Sequence, residues 1–239
     1  MDAIMRLASD RGIPVIEDNA HGLFGSYRGR ALGSFGRFAT ESFHETKNIT
    51  CGEGGALTVN EQRDVERAEI IREKGTDRSR FFRGQVDKYG WADVGSSYLL
   101  SDLLSACLLA QLDKRELIQA RRQAIWNAYA SGLAGWAGAA GARLPVIPSH
   151  CEQSYHMFYL LLPSLEFRQR LIAHLKAADI LAVFHYLPLN RSVMARKIGA
   201  ENACPVTEDV SDRLLRLPFY FDLGDHDQRR VIDRITDFC

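Results

Sequence analysis

The opening of the chain constrains its fold more than any other segment: an amphipathic stretch, a glycine, a short apolar run, then two acids. Met1 to Arg11 sets Ile4, Met5, Leu7 and Ala8 at helical spacing, and Gly12 supplies the stop. Ile13-Pro14-Val15-Ile16 follows as a short apolar strand ending in Glu17-Asp18. Helix, tight turn, apolar strand and polar residues at the strand's C-terminal end make half of an α/β unit. A parallel strand buried on both faces needs a neighbour on each side, and here only a helix precedes it.

The rest of the chain continues the α/β pattern. Gly22 to Gly36 is glycine-rich and predicts turns with a hairpin around Tyr27-Arg28-Gly29-Arg30. Strands are expected over Arg37–Phe43 and Gly55–Val59, then a charged amphipathic helix from Glu61 to Lys74. Tyr98 to Leu112 predicts an apolar helix and Lys114 to Leu133 a long polar one. The Gly/Ala-rich stretch Gly132 to Ala142 reads as a boundary, which places a larger α/β part at 1–135 and a smaller α+β domain at 136–239. In the latter, strands are expected at His156–Leu162 and Leu181–Tyr186, and helices at Ser164–Ala178, near Glu208–Leu215 and at Asp225–Phe238.

Composition removes several classes of function. With 46% hydrophobic and 25% charged residues in 239, wholesale disorder is excluded. Thirty basic against thirty acidic residues leave no electrostatic footprint for nucleic acid or an anionic membrane. No apolar run approaches the roughly 20 residues of a membrane span, and the start lacks a signal-peptide layout. Five scattered cysteines without a Cys-x-x-Cys pair argue against a disulfide framework or a zinc site, and no histidines stand at metal-ligand spacing. The expectation is a soluble protein of the cytoplasm with no metal. Arg78-Ser79-Arg80 and Arg121-Arg122 read as solvated faces.

The densest chemistry lies in Ser42-Phe43-His44-Glu45-Thr46-Lys47 and the turn Gly52-Glu53-Gly54-Gly55. A lysine after a strand and before a close-packed glycine turn can lose solvation, lower its pKa and attack a carbonyl. On spacing alone, a solvated loop lysine is the simpler reading. Asp18, at the end of a parallel strand, lies where α/β proteins build their sites. It reads equally as the cap of a following helix. The glycine turn lacks the Gly-Lys-Ser/Thr of a nucleotide loop.

Taken together, Ile16-Glu17-Asp18-Asn19-Ala20-His21, Ser42-Phe43-His44-x-x-Lys47 and Gly52-Glu53-Gly54-Gly55-Ala56 resemble the DegT/DnrJ/EryC1/StrS sugar aminotransferases. Asp93-Val94-Gly95-Ser96-Ser97-Tyr98, His185-Tyr186-Leu187-Pro188-Leu189 and Arg216-Leu217-Pro218-Phe219-Tyr220 extend the likeness over nearly the whole chain, in the family's order. The resemblance implies a fold type I, pyridoxal 5'-phosphate-dependent transferase: an incomplete large mixed-sheet domain followed by a smaller C-terminal α+β domain. Lys47 would then form the Schiff base with the cofactor and shuttle protons, and Asp18 would pair with the pyridine nitrogen. His21 would bond the phenolic oxygen, and Ser42 would donate to the phosphate. His44, His185 and Tyr186 would lie near substrate.

Ser97 stands where many members carry an Asn that reaches the phosphate across a dimer interface; its shorter side chain offers one hydrogen bond at most. The Gly-Ser-Ser-Tyr form is similar to the dTDP-4-oxo-6-deoxy-D-glucose aminotransferases, which make dTDP-4-amino-4,6-dideoxygalactose for surface polysaccharides such as lipopolysaccharide. By that likeness the chain is expected to be a homodimer moving an amino group from an amino-acid donor, glutamate, to a nucleotide-linked 4-keto sugar. Met1 aligns with an internal family position, so the early strands and the phosphate-cradling helix N-terminus are expected to be absent. A truncated non-catalytic remnant, or one part of a split aminotransferase, is the alternative.

Overall fold

The structure, a computed structural model, describes residues 1–238. The chain forms two compact units: Met1–Arg115 with Pro148–Ser154, and Glu116–Ile147 with the chain from Tyr155 onward.

In the first unit α1 (Asp2–Asp10) leads to β1 (Ile16–Asp18). The expected hairpin forms from β2 (Ser26–Tyr27) and β3 (Arg30–Ala31). Arg28 and Gly29 between them both take positive φ (52° and 74°), as a two-residue hairpin turn with matching twist requires. β4 (Phe38–Ser42) and β5 (Gly55–Val59) complete a mixed sheet in the order β1-β4-β5, with β1 parallel to β4 and β5 antiparallel to it. Asp18 sits opposite Thr40, and Ser42 opposite Gly55. Because side chains alternate along a strand, Asp18, Thr40 and Ser42 share one face while Glu17, Ala39 and Glu41 share the other.

The first strand differs from expectation. It was expected over Ile13–Ile16, buried on both faces, but it starts at Ile16 and forms a sheet edge, with Ile13 57% and Ile16 63% exposed. Pro14 has no N–H to give a ladder, and before Ile16 a single bond, from the Arg37 N–H to the Val15 carbonyl (2.8 Å), links the two segments. Then come α2 (Gln62–Arg72), α3 (Arg78–Phe82) and α4 (Asp102–Asp113). α4 begins four residues later than its apolar run suggests because Ser101 caps it, its hydroxyl accepting from the Leu104 N–H at 3.4 Å.

The second unit is organised by α5 (Arg115–Ala140), whose Ile118, Arg122, Ile125, Trp126, Tyr129, Leu133 and Ala137 are buried at helical spacing. The Gly/Ala stretch is therefore helix rather than linker, and the boundary expected between 135 and 136 falls inside α5; the units part at Arg115. Gly132 serves close packing, since a Cβ there would come within 3.0 Å of Ile232, whereas Gly135 and Gly138 face open space. Gly141, at φ 67°, ends the helix. Arg122 is not a solvated residue as expected. It is buried, and its guanidinium donates to the carbonyls of Tyr155 (2.8 Å) and His156 (2.6 Å). Burial lowers its pKa to about 10.

After β6 (Cys151–Glu152), which pairs antiparallel with β2 in the first unit, come β7 (Tyr159–Leu161), α6 (Leu165–Lys176), β8 (Val183–Phe184), α7 (Val193–Lys197), α8 (Pro205–Arg213), β9 (Leu214–Arg216) and α9 (Asp225–Thr236). The helix expected to reach Leu215 stops at Arg213, and β9 becomes the centre of a sheet ordered β7-β9-β8, antiparallel to both neighbours. Alternation explains the switch: as a strand, Leu215 and Leu217 both reach the core, where Leu160 and Leu215 are fully buried.

Candidate active site

Lys47 is held by a loop that folds back on itself. Phe43 N–H donates to the Gly54 carbonyl (2.8 Å), Glu45 N–H to Gly52 (2.8 Å), and Cys51 N–H to Phe43 (3.0 Å). Phe43, Ile49 and Cys51 are buried beneath these bonds and anchor both arms of the loop. The Lys47 N–H itself donates to the His44 carbonyl at 2.9 Å. Its position is thus set by backbone bonds and three apolar plugs.

The side chain is half-buried. That partial burial pushes its ammonium below the ordinary lysine range, and the nearby Asp18 carboxylate opposes part of the shift. Asp18 ends β1 and accepts from the Ala20 N–H at 3.2 Å. Ser42, at the end of β4 on the same sheet face, accepts from the His44 N–H at 3.5 Å, which leaves its own proton to donate. The Thr46 N–H donates to His44 Nδ1 (3.3 Å), and Nε2 faces Glu53 at 3.6 Å.

His21 follows Asp18 in an exposed turn. Its carbonyl accepts from Ser154 Oγ, and Asn48, beside Lys47, donates to the Ser154 carbonyl. Ser154 thereby ties the His21 turn to the Lys47 loop. Asp18, His21, Ser42, His44 and Lys47 all lie in this part of the first unit. Ser97 belongs to the same unit but is exposed and bridges Glu73 through its backbone. His185 and Tyr186 belong to the second unit, at the end of β8.

Sequence reasoning missed the polar layer behind the site. Asn19, between Asp18 and His21, is buried; its amide donates to Glu41 Oε1 at 2.5 Å and to the Leu32 carbonyl at 3.4 Å. Glu17 accepts the N–H groups of Gly33, Phe35 and Gly36 at 2.6–2.9 Å. Burial, with Glu17 adding repulsion, pushes the Glu41 carboxyl up, and its Oε2 is buried without a partner. Space is tight here: a Cβ on Gly22 would stand 2.0 Å from Asn19 Oδ1, and Gly33 has φ 86° with Glu41 Oε1 3.1 Å from where a Cβ would lie. The legible signal was alternation, which sends Glu17 and Glu41 to the face opposite Asp18 and Ser42.

An amine, a carboxylate and a hydroxyl at the C-terminal edge of a mixed sheet form the framework of fold type I pyridoxal phosphate-dependent aminotransferases. Solved aminotransferases share it. TlmJ of Streptoalloteichus hindustanus superposes with a TM-score of 0.86 at 25% identity, covering 98% of this chain and 61% of its own. S. venezuelae DesV gives 0.85 at 31% identity, covering 99% of this chain and 61% of its own. An uncharacterised protein of Methanocaldococcus jannaschii is 30% identical over 243 residues, 98% of this chain and 62% of that protein. The sequence profile of the DegT/DnrJ/EryC1/StrS aminotransferase family matches residues 1–236. The chain belongs to that family. It spans about three fifths of the length of the relatives it matches.

The family depends on pyridoxal phosphate, and the residues present fit that group. The lysine is partly desolvated beside a carboxylate, and the Ser42 hydroxyl keeps its proton for an acceptor.

Proposed function

We propose that the chain carries the lysine half of a sugar-nucleotide aminotransferase site. In this reading an amino group moves from an amino acid, glutamate, to a nucleotide-linked 4-keto-6-deoxy sugar in the cytoplasm, in a homodimer that supplies surface polysaccharide precursors. The observation that carries it is the half-buried Lys47 amine, its protonation weakened by burial, sharing its surroundings with Asp18.

When bound, pyridoxal phosphate supplies an electrophilic carbonyl carbon and a ring that accepts electrons. Lys47 then acts twice. Its unprotonated Nζ would hold the group as nucleophile, and the same amine would carry a proton as general base and acid. A lowered pKa enlarges the fraction of amine ready for the first role near neutral pH. Asp18 would hold a proton at the pyridine nitrogen by its negative charge, and its carboxylate is kept in place by the Ala20 N–H. Ser42 would donate to a phosphate oxygen. His21 would hydrogen-bond the phenolic oxygen, and the tie through Ser154 fixes its turn relative to the lysine loop. Ser97, His44, His185 and Tyr186 are assigned to phosphate and substrate. The Gly-Ser-Ser-Tyr motif supports dTDP-4-oxo-6-deoxy-D-glucose as the acceptor and dTDP-4-amino-4,6-dideoxygalactose as the product.

The competing reading is cofactor capture without turnover, as in a remnant or one part of a split enzyme. The test is amino transfer from glutamate to a dTDP-4-keto-6-deoxy sugar, followed by mass of the sugar product and by release of 2-oxoglutarate. Lysine-dependent formation of both products supports the proposal. Cofactor binding with neither product supports the competing reading.

A further inference from the structure

On the sheet face opposite Asp18 and Ser42, two carboxyl groups are held in very different ways. Glu17, on β1, spends both oxygens on the N–H groups of Gly33, Phe35 and Gly36. Glu41, on β4, has a single donor, the Asn19 amide, which reaches Oε1 at 2.5 Å. Its Oε2 is, among the described residues, the one carboxyl oxygen that is buried and unpartnered. A carboxylate in such a place costs more than a carboxylic acid, because nothing there answers its charge. Around Glu41, β1 contributes Glu17, β5 the cross-strand neighbour Ala56, and the loop before β4 contributes Gly33; of these only Glu17 is charged. Burial raises the Glu41 pKa, the Asn19 hydrogen bond opposes the rise, and the Glu17 charge adds to it.

Asn19 links this acid to the site. It is buried, its N–H donates to the Thr40 carbonyl at 3.0 Å, and its carbonyl accepts from the Gly22 N–H at 2.9 Å. Those bonds begin the turn that carries His21. The pair is closely fitted: a Cβ on Gly33 would stand 3.1 Å from Glu41 Oε1 and 3.2 Å from Asn19 Nδ2. A buried amide that loses its acceptor is itself costly. We propose that Glu41 is a positioning residue: as a carboxylic acid it braces Asn19 and the His21 turn, and its ionisation releases them. The proton goes to water as the layer opens to hydrate the anion. The proposal deepens the aminotransferase reading and rests on it for the use made of His21. Because the folded-state pKa is raised, the brace is complete in acid and is lost as pH rises through that pKa.

The test is NMR of the full chain without pyridoxal phosphate, following the Asn19 side-chain amide and the His21 backbone N–H against pH. In the wild type both signals should shift with one common midpoint. Glu41→Gln, which keeps the neutral shape, should lack that step. Glu41→Leu, which removes the acceptor, should give the released signals at every pH where it folds. With pyridoxal phosphate added, the dissociation constant of the wild type relative to Glu41→Gln should be near unity in acid. It should then climb by up to about tenfold per pH unit above the midpoint, the limit for one proton. A merely structural Glu41 would change the melting temperature without moving that ratio. The proposal is overturned if Asn19 and His21 respond to pH alike in wild type and Glu41→Gln, or if the affinity ratio stays flat wherever both fold. The NMR step without pyridoxal phosphate binding at any pH would count against the cofactor reading alone.

Discussion

The two units are built on different principles. The second has one apolar core in which α5, α6, α9 and the β7-β9-β8 sheet bury Tyr129, Leu133, Phe158, Leu160, Leu171 and Leu215 completely. Among the described residues of the first, only Ala39, Phe43, Ile49 and Cys51 are buried apolar side chains. Its precision comes from hydrogen bonds: Glu17 on three backbone N–H groups, Asn19 on Glu41, and the closed loop around Lys47. Meanwhile α4 buries nothing despite its leucines, with Leu103 81% and Leu109 61% exposed. The candidate chemistry thus sits in the unit held by polar contacts, and the packing energy sits in the other. Substitutions in the two should fail in different ways.

The sharpest separation is expected at Lys47. Lys47→Ala should lower amino transfer by about 10²–10⁴-fold or more with little change in melting temperature, checked by product assay and thermal scan. Asp18→Asn should spare cofactor binding far more than turnover, because proton retention at the ring matters when electrons flow into it; equal turnover would remove Asp18 from the site.

In the second unit the loss should be stability. Leu215→Ala should cost about 2–5 kcal/mol in denaturant unfolding, through lost burial and a residual cavity. On α4, Leu103→Ala should stay within about 0.5 kcal/mol if water covers that face. A larger loss that depends on protein concentration, together with a dimer mass by light scattering, would place α4 in a subunit interface.

The smallest effect is expected from Glu41→Gln. The folded-state pKa of Glu41 is raised by burial, so its neutral form is favoured. Its contribution to stability is complete below the unfolded carboxylate range and is lost as pH rises through the folded pKa. Gln keeps the acceptor for Asn19 without the charge. The variant should therefore match the wild type in acid and exceed it at neutral pH, as read from melting temperature against pH. Identical curves would show that Glu41 is not strained by burial.

What could be read in the sequence divides along the same line. Period-two and period-3.6 patterns located β5, the β2–β3 hairpin and the helices α2, α6 and α9 closely, because local geometry decides them. The reach of α5 through Gly132–Ala140 was hidden: glycine and alanine signal flexibility locally, while the contact of Gly132 with Ile232 on a distant helix and the burial of Leu133 and Ala137 hold the helix. Arg122 was hidden likewise, since its partners are carbonyls more than thirty residues away. Strand β9 was masked by the helix before it. At the site, the motif residues Asp18, Ser42, His44 and Lys47 were legible as a cluster, while Asn19, Glu41 and Ser154, which position them, act through contacts distant in sequence.

The central claim is that Lys47, set by its loop beside Asp18, is a working amine. The direct measurement is the absorption spectrum of the purified chain with pyridoxal phosphate, alongside Lys47→Ala of equal melting temperature. The account predicts a new visible or near-ultraviolet band in the wild type that glutamate bleaches and that Lys47→Ala lacks. The same band in both proteins, or no band in a folded wild-type chain, would contradict it.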